Sequence, residues 1–191
     1  MIDRRMVVLG LGASLSSLAL TSYGARADST ASKTTAYRFS FPALSGEPIR
    51  LADFAGKPVM VVNTASQCGY TPQYSGLQQL WGEFHERGLS IIAVPSNDFH
   101  QEPGIAGDIA DLANKQYGVT FPMTAKAVVT GSNAHPFYRW AAEARPKDTP
   151  RWNFHKYLIG RDGYIADVFA SSVEPTDTRV KTAVARMLAN G

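Results

Sequence analysis

"VMVVNTASQCGYTPQYSGLQQLWGEF" occupies residues 59–84. It opens with a continuous apolar run, as expected of a strand buried on both faces. It closes with Tyr74, Leu77, Leu80, Trp81 and Phe84 spaced along one face of a helix from Pro72 to about Arg87, with Gly88 as a stop. Between the two lies a sharp turn that carries Cys68, the only cysteine in 191 residues. A single cysteine cannot close an internal disulfide. Either it is a small buried hydrophobe, or it is there for reactivity. Backbone N–H groups and the positive end of a helix dipole favour a negative sulfur, so a strand-to-helix turn suits a nucleophilic thiolate. Gly69 would permit an unusual backbone conformation and close approach by a substrate. Pro72 suits a first helical turn.

Outward from this stretch, "YRFSFPALSGEPIRLADFAGKP" reads as a hairpin turning at Ser45–Pro48. "LSIIAVPS" is a second buried strand, and Gly104 to about Tyr117 a second helix. "FPMTAKAVV" reads as a short strand with a loop, and Ala134 to about Glu143 as a short helix. "KYLIGRDGYIADVFA" places an Asp-Gly turn between two apolar runs, which predicts another hairpin. The closing segment "PTDTRVKTAVARMLAN" is an amphipathic helix with Val180, Val184 and Leu188 on one side and Thr176 or Thr178 available as a cap. Two buried strands joined through a helix imply a parallel pair, and the later hairpin adds antiparallel strands. The expected fold is α/β and thioredoxin-like: a mixed central sheet flanked by helices, with an N-terminal β-hairpin. In open α/β sheets sites gather at the C-terminal ends of strands, where Cys68 lies.

Length predicts one domain. Hydrophobic content of 45% and charged content of 18% are those of an ordinary globule with a sizeable core. The formal charge is +3, two units of which lie in residues 1–27, so there is no basic stripe to suggest nucleic acid. Those residues, "MIDRRMVVLGLGASLSSLALTSYGARA", have a charged start, an apolar middle and a small-x-small end, the anatomy of a signal peptide. Arg4-Arg5 before Met6-Val7-Val8 resembles the twin-arginine type. Cleavage after Ala27 would leave an exported protein without stable membrane insertion, most simply in a bacterial periplasm. Residues 28–36 read as a flexible leader and 37–191 as the domain. His85, His100, His135 and His155 lack metal-ligand spacing with one another or with Cys68, so neither a metal nor a cofactor is expected.

Three stretches name a chemistry. "VVNTASQCGYTPQYSGLQQL", "SNDFHQEPG" with "GVTFPM", and "RWNFHKYLIGRDG" together resemble the glutathione peroxidase family, in order and in spacing, from about Tyr37 to Leu188. The resemblance implies that Cys68 is the peroxidatic residue. Its thiolate would attack a hydroperoxide, become a sulfenic acid, and be reduced by an external thiol, glutathione or a thioredoxin-like protein. It also implies helpers: Trp152 and Asn153 of "WNF" as N–H donors, and a Gln. The Gln usually sits in "CNQFGxQEP", where this chain reads "SNDFHQEP" with Asp98 at the expected place. A carboxylate accepts where an amide donates. Asp98 therefore points away, or stands near the sulfur in its protonated form, or Gln101 or Asn97 takes over as donor. Arg151 and Lys156 flank the candidate site and would attract an anionic thiol substrate, or else are solvated charges.

Relatives with a resolving cysteine carry it where this chain has Ala113, and Ser96 replaces another frequent cysteine. The implied cycle uses one cysteine. Relatives that form tetramers have a longer loop before "WNF", which here implies a monomer. A peroxiredoxin would place Thr where Ala65 stands, and a disulfide oxidoreductase needs a second cysteine that "CGYT" lacks. The rival of another class is a catalytically weak relative that senses peroxide and relays the oxidation to a partner protein.

Overall fold

The structure is a computed structural model and describes residues 34–44 and 46–189. The expected signal peptide and the first part of the expected leader lie outside the described residues.

The N-terminal hairpin is short: β1 (Ser40–Phe41) and β2 (Ile49–Arg50) pair antiparallel, with Phe41 opposite Ile49. The leader's last residues are packed. Thr34 O accepts the Trp140 indole N–H at 2.9 Å, Ala36 N donates to Gly163 O at 2.8 Å, and Ala36 is buried. Gly163 is left-handed (φ +81°), and a Cβ there would come within 2.8 Å of Thr35 and Tyr37, so this close approach requires glycine.

The apolar run forms β3 (Val59–Thr64), and the helix that follows the Cys68 turn is α1 (Gln73–Phe84). A tighter turn, His85–Arg87, continues it to Gly88, which is left-handed at φ 111° and stops it as its position predicted. The strand β4 (Ser90–Pro95) then lies parallel to β3, Val59 beside Ser90 and Thr64 beside Pro95. After the 97–104 segment, α2 (Ala106–Asp111) begins two residues later than its sequence suggests, and its second half widens into a π-helix over Leu112–Gln116. Next come α3 (Pro136–Ala144), β5 (Lys156–Ile159), β6 (Ile165–Phe169) and α4 (Thr178–Ala189). The sheet order is β4-β3-β5-β6, with β5 antiparallel to both β3 and β6. This is the thioredoxin-like mixed sheet that the residue pattern implied.

The expected strand at "FPMTAKAVV" is absent as a strand. Met123 bridges to Ala93 and Thr124 to Ala43, and no longer ladder forms. Pro122 has no N–H to give; its carbonyl accepts Ala93 N at 3.0 Å, and Thr124 N returns to Ala93 O at 2.9 Å. The chain is then drawn off towards the hairpin by Ala125 N to Pro42 O at 2.8 Å.

Alternation along β3 explains its unbroken apolar run. Met60 and Val62 face a core closed by Leu77 and Leu80 of α1 and by Val180 and Val184 of α4. Val59 and Val61 face the opposite core with Phe137 and Trp140 of α3. Truncating a fully buried side chain such as Leu77 to Ala in such a core costs about 2–5 kcal/mol. Both faces covered means that β3 holds its C-terminal end rigidly, and that end carries the site.

Candidate active site

The turn after β3 is closed by its own side chains. Thr71 Oγ1 accepts Cys68 N at 3.0 Å and donates to Ala65 O at 3.0 Å, while Thr71 N donates to Cys68 O at 2.9 Å. These bonds close the turn that carries the thiol between β3 and α1. Cys68 is 7% exposed, and its Sγ accepts the Tyr70 backbone N–H at 3.3 Å. A backbone donor aimed at sulfur stabilises a thiolate. Gly69 is exposed beside it and outside the left-handed region, so the unusual conformation expected of it is not used. A Cβ there would meet nothing within 4 Å beyond its chain neighbours, so the space over Gly69 is open.

A second segment, 97–104, is clamped to this turn. Gln67 N donates to Gln101 O at 2.9 Å, and Ser66 Oγ donates to Glu102 Oε2 at 2.9 Å. Glu102 is buried, and burial pushes its carboxyl above the usual range, opposed by the Ser66 bonds and by Lys126. Asn97 Oδ1 accepts Glu102 N at 2.9 Å, which ties this side chain's carbonyl to its own loop.

The third segment is the "WNF" turn before β5. Asn63 of β3 grips it twice: its Nδ2 donates to Trp152 O at 3.1 Å, and its O accepts Phe154 N at 2.6 Å. Phe154 is left-handed (φ 63°), a conformation that costs a bulky residue of order 1–3 kcal/mol and persists only where neighbours impose it. The Trp152 ring is 41% exposed and lies 5.5 Å from the Phe99 ring. Asn153 is fully buried, and its Nδ2 donates to Gln101 Oε1 at 2.9 Å. That leaves the Gln101 Nε2 group as a donor for whatever occupies the site.

Asp98 is turned away. Its Oδ2 accepts Val129 N at 2.8 Å, Thr130 N at 2.8 Å and Thr130 Oγ1 at 2.9 Å. Three donors on one oxygen tie the 129–130 loop down to this side chain. Of the alternatives left open by the sequence, the structure turns Asp98 to the 129–130 loop and places Gln101 against Asn153. The reason is local: Asn97 to His100 forms a turn, His100 N donating to Asn97 O at 2.9 Å, and His100 is left-handed at φ 57°. This reversal separates the direction of Asp98 from that of Gln101. The signal in the sequence was "QEP" itself, the unaltered end of the motif.

Arg151 is exposed beside Trp152. Lys156 is not a flanking surface charge: it is fully buried, and its Nζ donates to Gln73 Oε1 (2.7 Å), Phe154 O (2.7 Å) and Val173 O (2.8 Å). It therefore cannot meet an anionic substrate. Burial pulls its ammonium down to about 7, with Glu174 opposing. Asn63, Gln73 and Glu102, which sequence reasoning did not single out, prove to be the braces of the site.

Comparison with known proteins places the chain in a family. The family model described as "Glutathione peroxidase" matches residues 36–142, which include Cys68 and Gln101. The hydroperoxy fatty acid reductase gpx1 of Synechocystis is 42% identical over 153 residues, 75% of this chain and 90% of that protein. A glutathione peroxidase of Lactococcus lactis is 41% identical over 145 residues, 74% of this chain and 92% of that protein. Among solved structures, "Trgpx in apo form" aligns with a TM-score of 0.67 at 31% identity, covering 83% of this chain and 97% of the other. The family model covers more than half of the chain and both relatives exceed 30% identity over most of it: this protein belongs to the glutathione peroxidase family.

Proposed function

We propose that this protein is a one-cysteine thiol peroxidase in which Cys68 is oxidised by a hydroperoxide and reduced by a thiol from outside the chain. Its class, a glutathione peroxidase-like enzyme that reduces hydroperoxides, follows from family membership. The observation that carries the finer reading is the Cys68 Sγ in the turn before α1, accepting the Tyr70 N–H in a chain that holds no second cysteine.

The thiolate attacks the terminal oxygen of the hydroperoxide. An S–O bond forms and the O–O bond breaks, sulfur losing two electrons to the oxygen. The leaving alkoxide or hydroxide takes a proton from solvent, and the N–H groups of Gln101, Asn153 and the Trp152 indole stabilise its developing charge by hydrogen bonds. The sulfenic acid then condenses with a reductant thiol to a mixed disulfide and water. A second thiol releases Cys68 and leaves the reductant as a disulfide. Glutathione or a thioredoxin-like protein fits the reductant's part. The named activity of the Synechocystis relative supports organic hydroperoxides alongside hydrogen peroxide as substrates. The twin-arginine-like leader supports export to a periplasm, and the short chain before "WNF" supports a monomer.

Peroxide consumption with glutathione or with thioredoxin as reductant tests this reading. Turnover with one of them that vanishes in Cys68→Ser is the expected result; full activity in that variant refutes it. Fast Cys68 oxidation with negligible turnover on either reductant would favour the peroxide-sensing relay instead, the reading that the lone cysteine also suits.

A further inference from the structure

The Lys156 ammonium is shut away from solvent at the first position of β5, where β3 and β6 pair on either side of it. An apolar side chain of that length would fill the same space without the cost of stripping water from a charge. The ammonium adds three directed N–H bonds, and an uncharged amine has only two to give. All three are used, and they converge from three separate parts of the chain.

One goes to Gln73 Oε1 at 2.7 Å, on the first residue of the helix that follows Cys68. One goes to Phe154 O at 2.7 Å, the carbonyl of the left-handed residue next to Asn153. The third goes to Val173 O at 2.8 Å. Gln73 extends the tie: it is 2% exposed, and its Nε2 donates to Ser171 O at 2.8 Å and to Glu174 Oε1 at 3.4 Å. Glu174 is the negative group that faces this cluster, and the neutral amide of Gln73 stands between it and the ammonium. The Phe154 peptide is thus held from both ends, its N–H by Asn63 O and its carbonyl by Lys156.

We propose that Lys156 and Gln73 are positioning residues for the peroxidase reaction: together they form a buried strut that sets the Trp152–Asn153 turn against the start of α1, which closes the turn that carries Cys68. Neither touches the substrate. They act by keeping the donors on one segment in register with the sulfur on another, where a misplacement of about 1 Å costs up to ~100-fold in rate. This inference rests on the peroxidatic reading of Cys68.

The test compares two reactions of the same sulfur. Oxidation of Cys68 by hydrogen peroxide needs the turn's donors in place; alkylation by iodoacetamide needs only an accessible thiolate. In Lys156→Met the peroxide rate constant is expected to fall roughly 10- to 100-fold, with alkylation changed less than about threefold. Gln73→Met removes one acceptor and leaves the ammonium, so the same split should appear at about 3- to 10-fold; this arm decides if Lys156→Met does not fold. Circular dichroism reports folding in both. A folded variant that reacts with peroxide at the wild-type rate overturns the proposal, as does an equal fall in both reactions, which would mean damage to the thiol's own turn. A wild-type protein whose Cys68 fails to react with peroxide refutes the peroxidase reading and this one with it.

Discussion

Asn153 Nδ2 donates to Gln101 Oε1 at 2.9 Å, joining the turn before β5 to the loop after β4. Asn153 Oδ1 has no hydrogen-bond partner among the described residues, so this bond is the one that anchors a fully buried amide. Two replacements of Gln101 separate its structural and chemical roles. Gln101→Leu leaves the Asn153 amide unsatisfied and is expected to cost about 1–3 kcal/mol in chemical denaturation. Gln101→Glu keeps an acceptor for Asn153 but removes the N–H donors. It should retain most of that stability and still slow Cys68 oxidation about 100-fold. Stopped-flow oxidation beside urea unfolding distinguishes the two; an unchanged oxidation rate in Gln101→Glu would remove Gln101 from the chemistry.

Asp98 braces the 129–130 loop through three hydrogen bonds to one oxygen. In Asp98→Gln the longer amide cannot gather those donors, and a loss of about 1.5–3 kcal/mol is expected. The rate of Cys68 oxidation should not rise, because no carboxylate is being lifted from the sulfur. A marked rise would place Asp98 beside Cys68 and contradict the geometry.

His155 gives the fold an acid-sensitive element. It is buried, its Nε2 has no hydrogen-bond partner among the described residues, and burial pulls it from 6.5 down to about 4, with a backbone bond at Asp148 opposing and the Lys156 charge assisting. The unfolded chain takes up the proton near 6.5 while the folded chain resists it until about 4. Acidification across that window therefore favours unfolding, by up to ~1.4 kcal/mol per pH unit. Glu102, raised by burial, acts with the opposite sign, since the folded state binds its proton more readily. Urea unfolding of the wild type and His155→Gln between pH 4 and 7 isolates the His155 part: the difference in stability between them should shrink or reverse as pH falls. A pH-independent difference would show that His155 does not titrate there.

The elements legible in the sequence are those with a short-range cause. β3 and α1 follow from an apolar run and a helical stripe of Tyr74, Leu77, Leu80 and Phe84, and the β5–β6 hairpin from Asp162-Gly163. The segment around Pro122 was misread because its apolar residues look like a strand, while its pairing depends on one β4 residue and one hairpin residue far along the chain. The Lys156 side chain was misread for a similar reason. Its charge is visible in the sequence, but its enclosure is made by Gln73, 83 residues away, and Val173, 17 away.

By itself the sequence determined that Cys68 stands at a strand-to-helix turn and that the chain holds no second cysteine to pair with it. Composition and periodicity suffice for that, because a count and a local pattern do not depend on the path of the chain. Only the tertiary structure decided which polar groups meet: Gln101 with Asn153, Asp98 with the 129–130 loop, and Lys156 with the helix start. Two left-handed residues, His100 and Phe154, steer those segments. Their conformations are imposed by contacts across the fold, beyond the reach of local preference.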